Sequence, residues 1–209
     1  SGLLSEERLE EAVLRILATK AALKLHEKQM SGTLVPGVEE LAVLRNEEHV
    51  RWAKECADKG VTLVKDTVNL LPLNPEIHKR ILLEMMGDFP SNERVYQQFE
   101  ELLTREGFKV SRYVPEDSYE SLDSVEEFRS KYDLVIYVAN IETVSSKTVA
   151  RLNWVTLFGQ GNNLPWFVKE VPTLFISVGN PYHLFDVPMI KTYINGYCNS
   201  EYVIEAIVE

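Results

Sequence analysis

Only two cysteines, Cys56 and Cys198, occur in 209 residues, far apart and with neither a CxxC pair nor clustered histidines beside them. That spacing signals neither a disulfide framework nor a zinc site, and no other grouping calls for a metal or cofactor. Both thiols are expected to be free and buried, since a lone cysteine behaves as a small apolar residue. No apolar run approaches the roughly 20 residues that a spanning helix needs, and no signal peptide precedes the first helical pattern. Basic residues are also in short supply: 22 Lys and Arg stand against 32 Asp and Glu, a net charge of -10. Such a surface repels phosphate backbones and anionic lipid, so neither nucleic acid nor a membrane is an expected partner. Internal repeats and low-complexity tracts are missing as well. With two unpaired thiols and no leader, a cytoplasmic location is expected over a secreted one. The chain opens just before a helix cap, after a Ser-Gly that has the look of a cloning remnant, and stops inside an apolar helical pattern, so a fragment of a longer protein is expected.

What is present is ordinary globular composition, 45% hydrophobic and 26% charged, enough for one sizeable core plus an appendage. The organising stretch is Val171 to Tyr182, VPTLFISVGNPY, a continuous apolar run ending in Gly-Asn-Pro. A strand buried on both faces reads this way, and Pro181, which cannot donate to a ladder, requires it to end at about Val178. Tyr132 to Asn140, YDLVIYVAN, has the same form. Two such strands imply helices on both faces of a sheet.

In chain order, Ser5 before Glu6 and Glu7 caps a helix predicted to reach about Leu25, with Leu9, Val13, Ile16, Leu17 and Leu23 on one stripe. Gln29 to Val38, containing Gly32, Pro36 and Gly37, reads as a linker, and a domain boundary is placed there, between 1–38 and 39–209. Asn46 caps a second helix, Glu47 to about Lys59, whose Val50, Ala53, Cys56 and Ala57 share a face. A short apolar segment follows, and Arg80 to Met86 is predicted as the first strand of the sheet. Ser91 to Glu106 reads as a helix closed by Gly107, Phe108 to Val114 as a second strand, and Tyr119 to Lys131 as a short helix. Thr148 to Leu157 fits an irregular strand or a helix, and GQGNN, Gly159 to Asn163, a loop. A helical turn near Phe185 to Met189, a strand Ile190 to Tyr197 and a helix from Ser200 complete the pattern. Strand-helix alternation of this kind requires right-handed crossovers, hence a three-layer α/β sandwich with a mainly parallel sheet of five or six strands.

The segments RLEEAVLRILATKAALKL, HVRWAKECADKGVTLVKDTVNLLPL, KRILL, YDLVIYVAN and VPTLFISVGNPYHLFDVPMIKTYINGY together resemble the second domain of glycoside hydrolase family 3, in its bacterial β-N-acetylglucosaminidase branch. The resemblance covers nearly the whole chain and is most specific in the helix leading into VTLVKD and NLLPL and in ISVGNPYHLFDVP. It implies an amino-terminal (β/α)8 barrel as partner, a connecting helix at residues 5–25, and an N-acetylglucosamine-containing saccharide at the domain interface. The barrel or a second copy of the chain, through residues 1–30, would cover the first helix's stripe. In that family the nucleophile is a barrel aspartate and the reaction retaining, and this branch keeps its acid/base, a histidine with an aspartate, on a barrel loop. None of His26, His49, His78 or His183 sits in such a motif, so no catalytic residue is expected in this chain. The β-glucosidase branch instead takes its acid/base glutamate from the loop after the strand matching Tyr132 to Asn140, where Glu142 stands.

Each candidate has a plainer reading. IETVSSKTV departs from the acidic, glycine-rich surroundings of that glutamate, which favours a solvated carboxylate at Glu142 over a general acid. Asn140, Asn180 and Tyr182 stand at carboxyl ends of strands, where open α/β sheets place ligands, yet Asn-Pro also simply ends strands. GQGNN lacks the flanking strand and helix of a phosphate cradle. Trp154 and Trp166 offer sugar-stacking faces, with core or interface packing the stronger reading. His183 is expected to hydrogen-bond locally. The expected function is that of an auxiliary domain in a β-N-acetylglucosaminidase, the alternatives being a flavodoxin-like small-ligand module or a structural dimerisation domain.

Overall fold

The computed structural model describes residues 4–87, 91–113, 124–142, 151–152, 154, 156–157, 160–161 and 163–209. Contacts divide the chain into two compact units, Ser1–Val50 and Arg51–Glu209.

In the first unit, helix α1 (Glu6–Ala22) starts as the sequence requires, with the Ser5 hydroxyl accepting from the Arg8 N–H. It stops three residues short of the expected Leu25: Lys24 takes a left-handed conformation and a second helix, α2 (Leu25–Ser31), begins. Gly32, with φ +72°, ends α2 in the conformation glycine adopts at least cost. The first residues of the expected linker are therefore helical, and Val38–Val43 forms a 3-10 helix. Leu9, Val13, Ile16 and Leu17 are all exposed. Helix α3 (Glu47–Gly60) crosses the division, and the Asn46 side chain caps it by accepting from the His49 N–H at 2.9 Å.

The second unit is built on a six-stranded sheet with Thr62–Asp66 (β1), Arg80–Gly87 (β2), Lys109–Arg112 (β3), Leu134–Asn140 (β4), Thr173–Ser177 (β7) and Thr192–Asn195 (β8). A separate two-residue pairing joins Thr156–Leu157 (β5) to Gln160–Gly161 (β6), so the stretch expected as a plain loop around GQGNN includes a strand. The order across the large sheet is β1-β8-β7-β4-β2-β3. All contacts are parallel except that of β1 with β8. β1 was legible only as a short apolar segment, because it is an antiparallel edge strand whose Leu63 and Val64 remain exposed. At the other edge, β3 carries Lys109 and Arg112, charges of the kind that keep an edge from pairing with another chain.

Helices α4 (Ser91–Arg105) and α6 (Glu201–Val208) cover one face, where Val95, Phe99 and Leu103 of α4 and Ile204 of α6 meet Ile81, Leu83, Ile136, Ile176 and Ile194. The opposite face buries Leu82, Val135, Tyr137, Phe175 and Tyr193 against Phe128 of α5 (Val125–Lys131), Phe167, Val187 and Ile190. Both faces of β4 and β7 are covered, and every residue of these strands is buried. That is the physical reason for their unbroken apolar runs. The result is a three-layer α/β sandwich. One thiol expectation fails: Cys56 and Cys198 are both exposed. Cys56 lies on the outward side of α3, where Ala57 is the residue turned to the core, and Cys198 lies in the loop before α6.

Candidate functional site

The five parallel strands run β3-β2-β4-β7-β8, so strand order reverses between β2 and β4. In doubly wound sheets the carboxyl ends on either side of such a reversal open a crevice. Gly87 and Asn140 are register partners at this point. Gly87 has φ +145°, and a side-chain carbon there would lie 2.2 Å from the Asn140 carbonyl oxygen, so only glycine fits. The Asn140 side chain is buried. Its Nδ2 donates to Asn92 Oδ1 at 2.9 Å and its Oδ1 accepts from Asn199 Nδ2 at 2.9 Å. Asn140 thus ties the start of α4 to the loop before α6, and Arg94 adds a bond from its guanidinium to the Asn199 carbonyl at 2.8 Å.

One strand over, β7 leaves the sheet through Gly179 and Asn180. The Asn180 N–H donates to the Ile141 carbonyl at 3.2 Å, and a side-chain carbon on Gly179 would come within 2.6 Å of that same oxygen. Gly179 is needed because two backbones pass closely, not because φ is positive. This contact brings Asn180 beside Glu142, which is exposed at the exit of β4; residues 143–150, including most of the expected IETVSSKTV loop, lie outside the described residues. The Ser177 hydroxyl donates to the Asn180 carbonyl at 2.7 Å, the Asn180 side chain accepts from the Tyr182 N–H at 3.0 Å, and Asn195 Nδ2 donates to the Pro181 carbonyl at 3.3 Å. Asn140, Glu142, Asn180 and Tyr182 therefore share one edge of the sheet, with Tyr182 exposed.

Immediately after Tyr182 comes a 3-10 turn, His183–Phe185. His183 is fully buried, with Nδ1 3.4 Å from Asp186 Oδ2, the local contact expected of it. Burial pushes the His183 pKa down and Asp186 only partly opposes this, so the imidazole is neutral at pH 7. Asp186 also pairs with Arg151 and accepts from the Leu152 N–H at 3.3 Å. Trp154 packs edge-on to Tyr137 at 6.3 Å, and Trp166 packs against Phe128 and Phe167 at 5.5 Å, half exposed.

Two carboxylates escaped the sequence reading. Glu84, in the middle of β2, is only 2% exposed and faces Tyr137 across the ladder. Burial raises its pKa well above the usual carboxylate range, favouring the protonated form, and its Oε2 has no partner among the described residues. The signal was available: one acidic residue interrupts the apolar run RILLEMM. Asp66, at the end of β1, accepts from the N–H groups of Val68, Leu70 and Leu71 and from the Thr192 hydroxyl. Partial burial raises its pKa, but those donors outweigh it and the net shift is downward. Among the described residues no group of three His, Cys, Asp or Glu could hold a metal ion.

No family model matches the sequence. A β-N-acetylglucosaminidase/β-glucosidase of Cellulomonas fimi is 38% identical over 214 residues, covering 99% of this chain and 37% of that protein. A β-glucoside phosphorylase structure, bound to 2FGlc, superposes over 100% of this chain and 36% of its own with 40% identity and a TM-score of 0.80. The fold is shared with a glycoside hydrolase family 3 β-N-acetylglucosaminidase of Paenibacillus, at 17% identity and a TM-score of 0.56 over 99% of this chain and 37% of that one. The chain therefore spans little more than a third of the relatives it matches, and over its whole length it is similar to a part of each of these glycoside-processing proteins, one of them a glycoside hydrolase family 3 enzyme.

Proposed function

We propose that this domain serves a parent protein that removes terminal N-acetylglucosamine from cell-wall or chitin-derived sugars with retention of configuration. The observation that carries this reading is the 38% identity to the Cellulomonas fimi enzyme across 99% of the chain. Residues 1–38 then connect a preceding (β/α)8 barrel, which holds the nucleophile, to the sandwich at 39–209. The saccharide lies where the barrel meets the carboxyl edge of the sheet, with Asn140, Glu142, Asn180 and Tyr182 on the sandwich side. The exposed Leu9, Val13, Ile16 and Leu17 provide a face for that barrel or for a second copy of the chain.

Retaining chemistry needs a nucleophile and an acid/base on opposite sides of one sugar ring, and Glu142 supplies at most half of that pair. The chain alone is expected to leave an aryl β-N-acetylglucosaminide unhydrolysed, while the parent protein with its barrel turns it over. Turnover by the chain alone that disappears in Glu142→Gln would make this domain an enzyme in its own right and overturn the proposal.

A second reading rests on the 40% identity to a β-glucoside phosphorylase: the parent transfers the glycosyl group to phosphate instead of water. Assay of the parent with and without inorganic phosphate separates the two, since phosphorolysis yields a sugar 1-phosphate and hydrolysis a free sugar.

A further inference from the structure

Residues 182–186 wind into a single turn in which the Phe185 N–H donates to the Tyr182 carbonyl at 3.1 Å and the Asp186 N–H to the His183 carbonyl at 2.8 Å. Side chains three apart on a 3-10 turn eclipse one another. Tyr182 and Phe185 therefore stand on one face, and His183 and Asp186 on the next. The two faces have opposite fates. His183 is wholly buried against Asp186, which Arg151 and the Leu152 N–H hold in place. Tyr182 and Phe185, in contrast, are 67% and 81% exposed. The Asn180 side chain and the Asn195 amide fasten the entry to the turn. Two aromatic side chains are thus displayed on a backbone whose conformation is already set.

We propose that Tyr182 and Phe185 form an aromatic platform for the leaving-group sugar of a β-linked saccharide, and so determine which substrates the parent protein accepts. This inference rests on the glycoside-processing reading above and adds a subsite to it. The platform lies at the exit of β7, on the edge that also carries Asn140, Glu142 and Asn180. An aromatic side chain takes the apolar C–H face of a pyranose at little entropic cost, having only two side-chain torsions to fix. Sugar hydroxyls at the rim of such a stack need polar partners, and the turn is flanked by the Asn180 amide and by the Arg151 guanidinium, whose side chain is 70% exposed. A protein docking core would instead surround the rings with apolar residues and strip charge from its centre.

The experiment uses the full parent protein with Tyr182→Ala, Phe185→Ala and the conservative Phe185→Tyr. Each is assayed on two donors carrying the same transferred sugar, a glycosyl fluoride and a β-linked disaccharide. The expected result is a fall in kcat/KM for the disaccharide about tenfold or more greater than any fall for the fluoride in both alanine variants, carried by KM, with Phe185→Tyr close to the parent. Equal changes on both donors, or none on either, overturn the platform. Equal losses joined to a lower melting midpoint assign the rings instead to packing against another domain. A parent inactive on both donors in the presence and absence of phosphate overturns the underlying reading rather than the subsite alone.

Discussion

Glu84 shows how one residue can carry a pH dependence for the whole fold. Its carboxyl is buried between strands and its folded pKa is raised far above that of the unfolded chain. Folding therefore holds a proton that the unfolded chain releases once pH exceeds the ordinary glutamate value. The stability is fully present below about pH 4.5 and is lost as pH rises toward the folded pKa, by up to roughly 1.4 kcal/mol per pH unit. Glu84→Gln keeps the shape and removes the proton. Its denaturation midpoint is expected to gain on that of the parent as pH increases from 5 to 8; midpoints that run parallel across this range would show that Glu84 does not titrate in this way. Gly179 makes a steric statement at the same scale. A side-chain carbon there meets the Ile141 carbonyl at 2.6 Å, and backbone cannot yield as a flexible side chain would. Gly179→Val is expected to cost roughly 1 to 3 kcal/mol, the usual range for overpacking; an unchanged thermal midpoint would refute the close approach.

Among the elements, β1 and the turn after it are organised by one carboxylate. Asp66 accepts from three backbone N–H groups of residues 68–71 and from Thr192 of β8, so it both closes the turn and fastens the antiparallel edge. Asp66→Ala strands those donors and is expected to cost roughly 1 to 3 kcal/mol. The sign of the pH effect is opposite to that of Glu84. The folded pKa is lowered, so the stabilisation is present above the ordinary aspartate value near 4 and is lost as pH falls through the folded pKa. Chemical denaturation at pH 7 and pH 3 checks this: the deficit of Asp66→Ala should shrink at the lower pH, and a constant deficit would remove the carboxylate from the explanation.

For the molecule as a whole, α1 is the part that stands apart in composition and exposure. Leu9, Val13, Ile16 and Leu17 make a helical stripe that is 45–60% exposed. Apolar surface of this kind drives association in water. The chain is expected to show a concentration-dependent size by size exclusion with light scattering, and the chain starting at residue 39 to elute as a monomer at every concentration. A concentration-independent size for the longer chain would show that the stripe does not self-associate.

The apolar runs Leu134–Val138 and Leu174–Val178, with Gly-Asn-Pro closing the second, determined by themselves that the core is a covered parallel sheet, because burial on both faces leaves no alternation. Ser5, Asn46, Ser124 and Ser200 stand at helix starts, and the caps at Ser5 and Asn46, with a helix beginning at Ser200, were readable from residue type and neighbours alone. Only tertiary structure decided the rest. β1 was hidden because it is an edge strand whose consecutive Leu63 and Val64 are both exposed, so it shows no apolar-polar alternation. The outward position of Cys56 followed from which side of α3 faces the core. Asn140 was legible as a strand end, but its hydrogen bonds to Asn92 and Asn199 join residues 48 and 59 positions away. Likewise the meeting of Gly179 with Ile141, and the division of one turn into a buried His183–Asp186 face and an exposed Tyr182–Phe185 face, depend on which strands became neighbours. A sequence specifies local conformation and burial through nearest neighbours and periodicity, whereas a site assembled from several strand ends exists only once the chain order across the sheet is set.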